Sequence, residues 1–326
     1  MIRITALRSI ASRIGALSLI LLTLGVQSAA ARDEGTIPGL QSKSMTVRVD
    51  RPATSASPIR LSSDDGRSIS ISLPGRSSAN GSRGLTATSV AGSKARVITP
   101  LISRYDEVLV DTDSLVEDVA GSVRISMITK SATAPRIFVF PLTLPAGAQL
   151  KVQPDGSVIA LAPSETGMSY FAGVKAPYAY DAAGRAVPTE FRVSGSTLTQ
   201  TIFPPVDAAY PIVSDPWLGK NLIQEANWVR HTEGWTLQVT PTAWQRFWNG
   251  YWPGAAGWDE LYARYRWSGL TTNLEGMRDQ YICHVQIVSV RAPERPTWNL
   301  DEWRPNVGYT QTINSYCNPG GAKWFD

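Results

Sequence analysis

Apolar and polar positions alternate through much of the first two-thirds of the chain. Ile69-Ser70-Ile71-Ser72-Leu73 is the clearest case, preceded by Asp64-Asp65-Gly66 and stopped by Pro74-Gly75. A period of two puts the apolar side chains on one face of a half-buried strand. The same pattern predicts strands over Val123–Ile128, Ile137–Leu144, Leu150–Gln153, Val158–Leu161, Thr189–Val193 and Thr197–Phe203. Turn signals fall between them, at Pro154-Asp155-Gly156, Asp181 through Gly184 and Ser194-Gly195-Ser196. Short strands so punctuated predict an antiparallel, all-β sandwich-like domain over residues 56–210. Residues 32–55 lack periodicity and read as a flexible leader, and Ser77–Ser93 reads as a Ser/Gly/Asn-rich loop.

Beyond Pro204-Pro205 and the stiff stretch Pro211–Pro216 the pattern changes. Trp228–Val239 alternates like a hairpin with Gly234 near its turn. Thr240-Pro241-Thr242 signals a helix start, with Ala243–Trp248 following and Gly250 and Pro253 as stops. Trp258–Trp267 predicts a second helix with Leu261, Tyr262 and Tyr265 on one face. Asn273 is placed to cap a third, in which Leu274, Met277, Tyr281, Val285 and Val288 recur at helical spacing. The β-branched run Ile282–Val290 makes a strand the competing reading there. The tail ends in a short helix or strand reaching Cys317. The fold class expected is α+β overall: the β sandwich, then a small α+β domain over residues 217–326.

Composition sharpens that division. All 11 tryptophans lie from Trp217 onward. The first 31 residues have the three parts of a cleavable signal peptide: Arg3, Arg8 and Arg13, an apolar run from Ile14 to about Val26, and Ala29 and Ala31 before the expected cleavage. The run is short of the about 20 residues a spanning helix needs, so the product is expected to be secreted and extracellular, with no membrane span after cleavage. The formal charge of +4 falls to about +1 once those three arginines leave, which supplies no concentrated basic face for nucleic acid. Cys283 and Cys317 are the two cysteines, and an even count in an oxidising compartment favours a disulfide. A reactive thiol is the alternative.

Three C-terminal stretches carry a resemblance: Gly276–His284, Trp298-Asn299-Leu300-Asp301-Glu302-Trp303-Arg304-Pro305, and Cys317-Asn318-Pro319. They resemble an actinobacterial exported family known only as a Trp-rich domain of unknown function, the family 2599 type. The β region resembles, more loosely, a module found upstream of varied domains in actinobacterial exported proteins. The resemblance implies an effector-like C-terminal part and a β carrier, and it brings no activity with it.

Candidate chemistry is sparse. No Gly-x-Ser-x-Gly elbow occurs, and His231 and His284 are the only histidines. His284, beside Cys283 and with Asp279 and Gln280 nearby, is the candidate general base, against the plainer reading of a satisfied core histidine. Asp301-Glu302, flanked by Trp298 and Trp303, is a candidate acid pair for glycosidic chemistry, although pairing with Arg304 is an equally simple role. Trp298, Trp303 and Arg304 are the candidate binding residues. Two isolated histidines are too few for zinc, so neither metal nor cofactor is expected. Trp244, Trp248 and Trp252, four apart, read as a helical stripe belonging to a core, with some indoles left to bind sugars or wall polymers. The functional expectation is an extracellular or cell-envelope interaction protein whose partner is cell-wall polysaccharide or another extracellular molecule. A secreted, toxin-like hydrolase using His284 is the alternative, and a purely structural envelope protein the third.

Overall fold

The computed structural model describes residues 44–75, 92–165 and 167–321. The signal-like segment 1–31, residues 77–91 of the predicted loop and Trp324 lie outside the described residues.

Alternation becomes strand throughout the first part. In chain order these are β1 (Val47–Asp50), β2 (Ile59–Ser63), β3 (Ser68–Ile71), β4 (Ala95–Thr99) and β5 (Ile102–Leu109). Then come β6 (Thr112–Val119), β7 (Ser122–Thr129), β8 (Ile137–Thr143), β9 (Gln149–Val152) and β10 (Val158–Ser164). The series continues with β11 (Gly167–Val174), β12 (Ala179–Tyr180), β13 (Thr189–Ser194), β14 (Thr197–Ile202), β15 (Ile212–Ser214) and β16 (Trp217–Lys220). One sheet has the order β1-β2-β3-β8-β14-β13; the second runs β4-β5-β6-β7-β16-β11-β10-β9, with β15 on β7 and β12 on β15. Ile59, Leu61, Ile69, Ile71, Phe138 and Phe140 of the first sheet share one buried core with Val116, Ile125, Met127 and Val158 of the second. This is the expected sandwich.

Two stretches differ from the simplest sequence reading. The aperiodic residues 32–55 include β1, which pairs with β2 through Val47↔Ser63 and Val49↔Leu61; Val47 and Val49 pack against the sandwich core. Two valines at period two suffice for an edge strand even without a longer pattern. Pro211–Pro216, read as a stiff boundary, contains β15, and Trp217 opens β16; both strands pair with β7.

The C-terminal part is α+β. β17 (Ile223–Arg230), β18 (Trp235–Pro241) and β19 (Trp298–Asp301) form an antiparallel sheet in that order. The predicted hairpin is β17–β18, and the His231 amide donates to the Gly234 carbonyl (2.8 Å) across its turn. Helices α1 (Ala243–Phe247), α2 (Tyr251–Tyr265), α3 (Leu274–Cys283) and α4 (Tyr309–Asn314) cover the sheet region. Thr242 caps α1, its hydroxyl accepting from the Gln245 amide at 3.1 Å. Pro253 does not stop a helix: it lies in the first turn of α2, where its missing N–H costs nothing. Trp252 therefore leaves the Trp244–Trp248 stripe. α3 runs on through a π-helical turn, His284–Val288, so helix prevails over strand at Ile282–Val290. Its face of Met277, Tyr281, Val285 and Val288 is buried with Leu237, Val239, Trp298 and Leu300. Asn273 precedes α3 at φ 45° without capping it; its amide instead donates to the carbonyls of Glu302 (3.0 Å) and Arg304 (2.8 Å). Cys283 and Cys317 are disulfide-bonded, with Cα atoms 5.5 Å apart, tying the end of α3 to the turn after α4.

Candidate functional site

The predicted site residues fall around α3 and β19. Gln280, on α3, is the organiser that sequence reasoning treated only as a neighbour. Its side chain donates to the Asp301 carbonyl (3.0 Å) and accepts from the Asp301 amide (2.8 Å), fastening β19 to the helix. Its own carbonyl accepts from His284 Nδ1 at 2.7 Å, which fixes the proton on that nitrogen. His284 is 8 % exposed. Burial holds its imidazole down at about 4, with the Gln280 carbonyl and Asp301 opposing and Arg295 and Arg304 adding to the effect. The ring is therefore neutral at physiological pH.

Asp301 is buried and both its oxygens are engaged: Oδ1 accepts from the Thr236 hydroxyl (2.6 Å) and Oδ2 from Arg304 Nε (2.6 Å). Arg304 also donates to the Pro319 carbonyl (3.3 Å) and lies over the Trp303 ring. Trp298 is fully buried, edge-on to Tyr281 at 5.8 Å and beside His284 at 6.3 Å. Trp303 is half-buried. His284, Gln280, Trp298, Asp301 and Arg304 thus form one internal knot beside the disulfide.

Asp279 and Glu302 stand apart from it. Asp279 is five residues from His284 on a continuous helix, about 140° around the axis; it faces Arg278 at 3.6 Å, and burial raises its pKa against the pull of that arginine. Glu302 follows Asp301 and accepts from the Thr272 hydroxyl at 2.7 Å. The acid pair is split between two environments. Among the described residues no cluster of three or more His, Cys, Asp or Glu is placed to hold a metal.

A different place is open. A cleft of about 260 Å³ lies between the β10–β11 end of the sandwich and α2, with Arg67, Glu165, Phe171, Asn221, Glu260 and Arg266 in its wall. Glu260 is spent on the Leu222 amide (2.6 Å) and Arg264 (3.0 Å). Asn221 is 4 % exposed at φ 51°, and its Oδ1 accepts from the buried Lys220 ammonium (3.1 Å). The amide orientation is thereby fixed, since an ammonium can only donate. Asn221 Nδ2 is left buried with no partner, as is Arg266 Nε. Burial brings the Lys220 pKa down to about 8, with Asp65 opposing. Sequence reading missed this cleft because its walls come from positions about 200 residues apart and form no local motif.

Residues 223–320 match a family model described as a protein of unknown function (DUF2599). The match opens at the first residue of β17 and encloses the three-stranded sheet and the disulfide. Uncharacterized protein Rv0477 of Mycobacterium tuberculosis is 39% identical over 70 residues, covering 22% of this chain and 47% of that protein. Uncharacterized protein Mb0487 of Mycobacterium bovis gives the same figures. The chain spans about half the length of the curated relatives it matches. No solved structure matches this chain.

Proposed function

We propose that the protein is exported and acts at the cell envelope by binding rather than by hydrolysis. Export is supported by the signal-like residues 1–31 and by the buried Cys283–Cys317 bond, a cross-link suited to an oxidising compartment. No helix among the described residues is long and apolar enough to cross a membrane.

The observation that carries binding over hydrolysis is that the candidate catalytic groups are already committed inside the protein. His284 is buried with Nδ1 committed to Gln280, and both Asp301 oxygens are taken. A general base needs a substrate proton within reach. The cleft is the open place, and two residues of its wall, Asn221 and Arg266, carry buried donors with nothing to bond, as Trp298 and Trp303 do at the closed knot. Such groups are costly unless a ligand or water completes them.

Expression of the whole chain in a mycobacterial host tests both halves. The mature form should leave the cytoplasm with its N-terminus at Arg32, and the purified protein should sediment with washed cell envelopes. His284→Ala should bind envelopes as well as the parent once its stability loss is allowed for. Cytoplasmic retention of the uncleaved chain would overturn export. A hydrolytic activity against envelope material that His284→Ala abolishes in still-folded protein would overturn binding.

A further inference from the structure

We infer that the cleft between the sandwich and α2 receives the carboxylate of an acidic sugar unit. The inference rests on the binding reading above and names its ligand class.

The structure already seats a carboxylate at the cleft mouth. Glu165 Oε2 accepts from Arg266 Nη2 (3.2 Å) and from Trp267 Nε1 (3.3 Å). The Glu165 side chain is 82 % exposed, so it holds this position weakly and an incoming carboxylate can replace it. Arg67 spends its Nε on Asp65 (2.5 Å) and lies over the Phe171 ring, while Asn221 Nδ2 and Arg266 Nε have no partner. Donor-only groups in planar arrays match a carboxylate's two acceptor oxygens.

The sugar part of the assignment comes from Trp267. Its indole is 78 % exposed. The Arg266 guanidinium lies 4.5 Å from its centroid and takes one face; the rest of the ring is an apolar surface at the rim, outside the cleft wall itself and tied to the anion position through Nε1. The C–H face of a pyranose is what such a surface accepts, with a ring carboxylate projecting toward Arg266. The cleft volume of about 260 Å³ sits near the lower end of small-molecule sites, roughly 300 Å³.

The test is calorimetric titration of the full exported chain with methyl glucuronoside, methyl glucoside and inorganic phosphate. The glucuronoside should bind at least about tenfold tighter than the glucoside, the difference a charge-assisted pair supplies. Glu165→Gln should tighten glucuronoside binding by about threefold or more, because it removes the competing charge. Trp267→Ala should weaken the glucuronoside and leave phosphate unchanged, and Arg266→Gln should abolish binding. Equal affinity for the two glycosides, or a Glu165→Gln variant that binds no more tightly, would overturn the inference. Phosphate binding as tightly as the glucuronoside, indifferent to Trp267→Ala, would reduce the cleft to a simple anion site and overturn the sugar assignment. Should Arg266→Gln fail to fold, the exposed Glu165 and Trp267 positions still decide. If no probe binds while the protein still sediments with envelopes, this inference falls and the binding reading stands; loss of both removes both.

Discussion

The sandwich and the tryptophan-rich part solve the same problem, burying apolar surface, with opposite materials. The sandwich uses Ile, Val, Leu and Phe at alternate strand positions and no tryptophan before Trp217. The C-terminal part uses Trp228, Trp258, Tyr265, Tyr281 and Trp298 around a small sheet. A region of about 100 residues has little interior per unit surface, so large rings are an efficient filling. The two also meet through rings. Trp244 and Trp248 stack at 5.4 Å and lie with Trp217, Tyr170 and Leu222 in a third buried cluster. Beneath them, Gly173 of β11 and Gly219 of β16 are cross-strand partners. A Cβ on Gly173 would overlap the Trp248 ring, and one on Gly219 the Trp244 ring. The change in composition therefore marks a joint in which indoles rest on bare backbone.

The effect expected to reach furthest through the molecule breaks that joint. Gly219→Ala drives a methyl into three atoms of the Trp244 ring, backed by Trp248 and Trp217. Overpacking in a filled core costs about 1–3 kcal/mol, and the upper end or beyond is expected where a ring has nowhere to go. Denaturant melts should report that loss. Limited proteolysis gives the sharper reading: 212–220, held as β15 and β16 in the parent, should resist cleavage and become susceptible in the variant. A parent chain cut readily within 212–220 would mean that the two parts separate and the joint is weak.

A second effect should be confined to one side. Cys317→Ser, with Cys283→Ser to avoid a free thiol, opens a loop with a sequence separation of 34. The chain-entropy model gives about 3–4 kcal/mol for a loop of this length, and measured losses are often less. Hydrogen exchange should rise first in α3 and α4, which the bond joins, and least in β6 and β7 of the sandwich centre. Uniform loss of protection would show instead that the two cores unfold as one cooperative unit.

How much of this was legible in the sequence depends on the range of the cause. The β17–β18 hairpin, the Thr242 cap and the buried face of α3 follow from spacings of two, three and four residues, and periodicity reports these directly. Pro253 and Asn273 were misread because their residue types suit two roles. Proline both ends helices and begins them, and the Asn273 amide found the Glu302 and Arg304 carbonyls more than 25 residues away. The tryptophan excess was visible as an anomaly, but its use depends on the pairing of Gly173 with Gly219, 46 positions apart in number. The candidate knot was legible in part: His284, Trp298, Asp301 and Arg304 do come together, while Asp279 and Glu302 do not. What no local pattern conveys is that Gln280 would take the Asp301 backbone, leaving the group closed to solvent. The cleft is the extreme case, since Arg67, Asn221 and Arg266 meet only after both parts have folded.

The smallest effect sets the two parts against each other by pH. Asp215, beside β15, is buried in the sandwich; burial pushes its carboxyl up to about 8, despite the Tyr178 amide (3.0 Å), the Gln200 amide (3.1 Å) and nearby Lys175. His284 in the C-terminal part is held down at about 4. The signs are opposite. An acid with a raised folded pKa contributes stability at low pH and loses it as pH climbs from about 4 toward 8, because the folded state keeps a proton the unfolded state gives up. A histidine with a lowered folded pKa is neutral in the fold, so stability is lost as pH falls from about 6.5 toward 4, where the unfolded state takes up the proton. Between pH 7 and 5.5 the histidine should remove about 1 kcal/mol while the aspartate adds about 2 kcal/mol. The parent's stability should therefore change little, or rise slightly, on mild acidification. Asp215→Asn should uncover the histidine, giving a protein that weakens between pH 7 and 5.5. His284→Asn should uncover the aspartate, giving one that strengthens over the same interval. Denaturant midpoints at three pH values decide it, and parallel profiles for the two variants would mean that neither buried group titrates as its surroundings require.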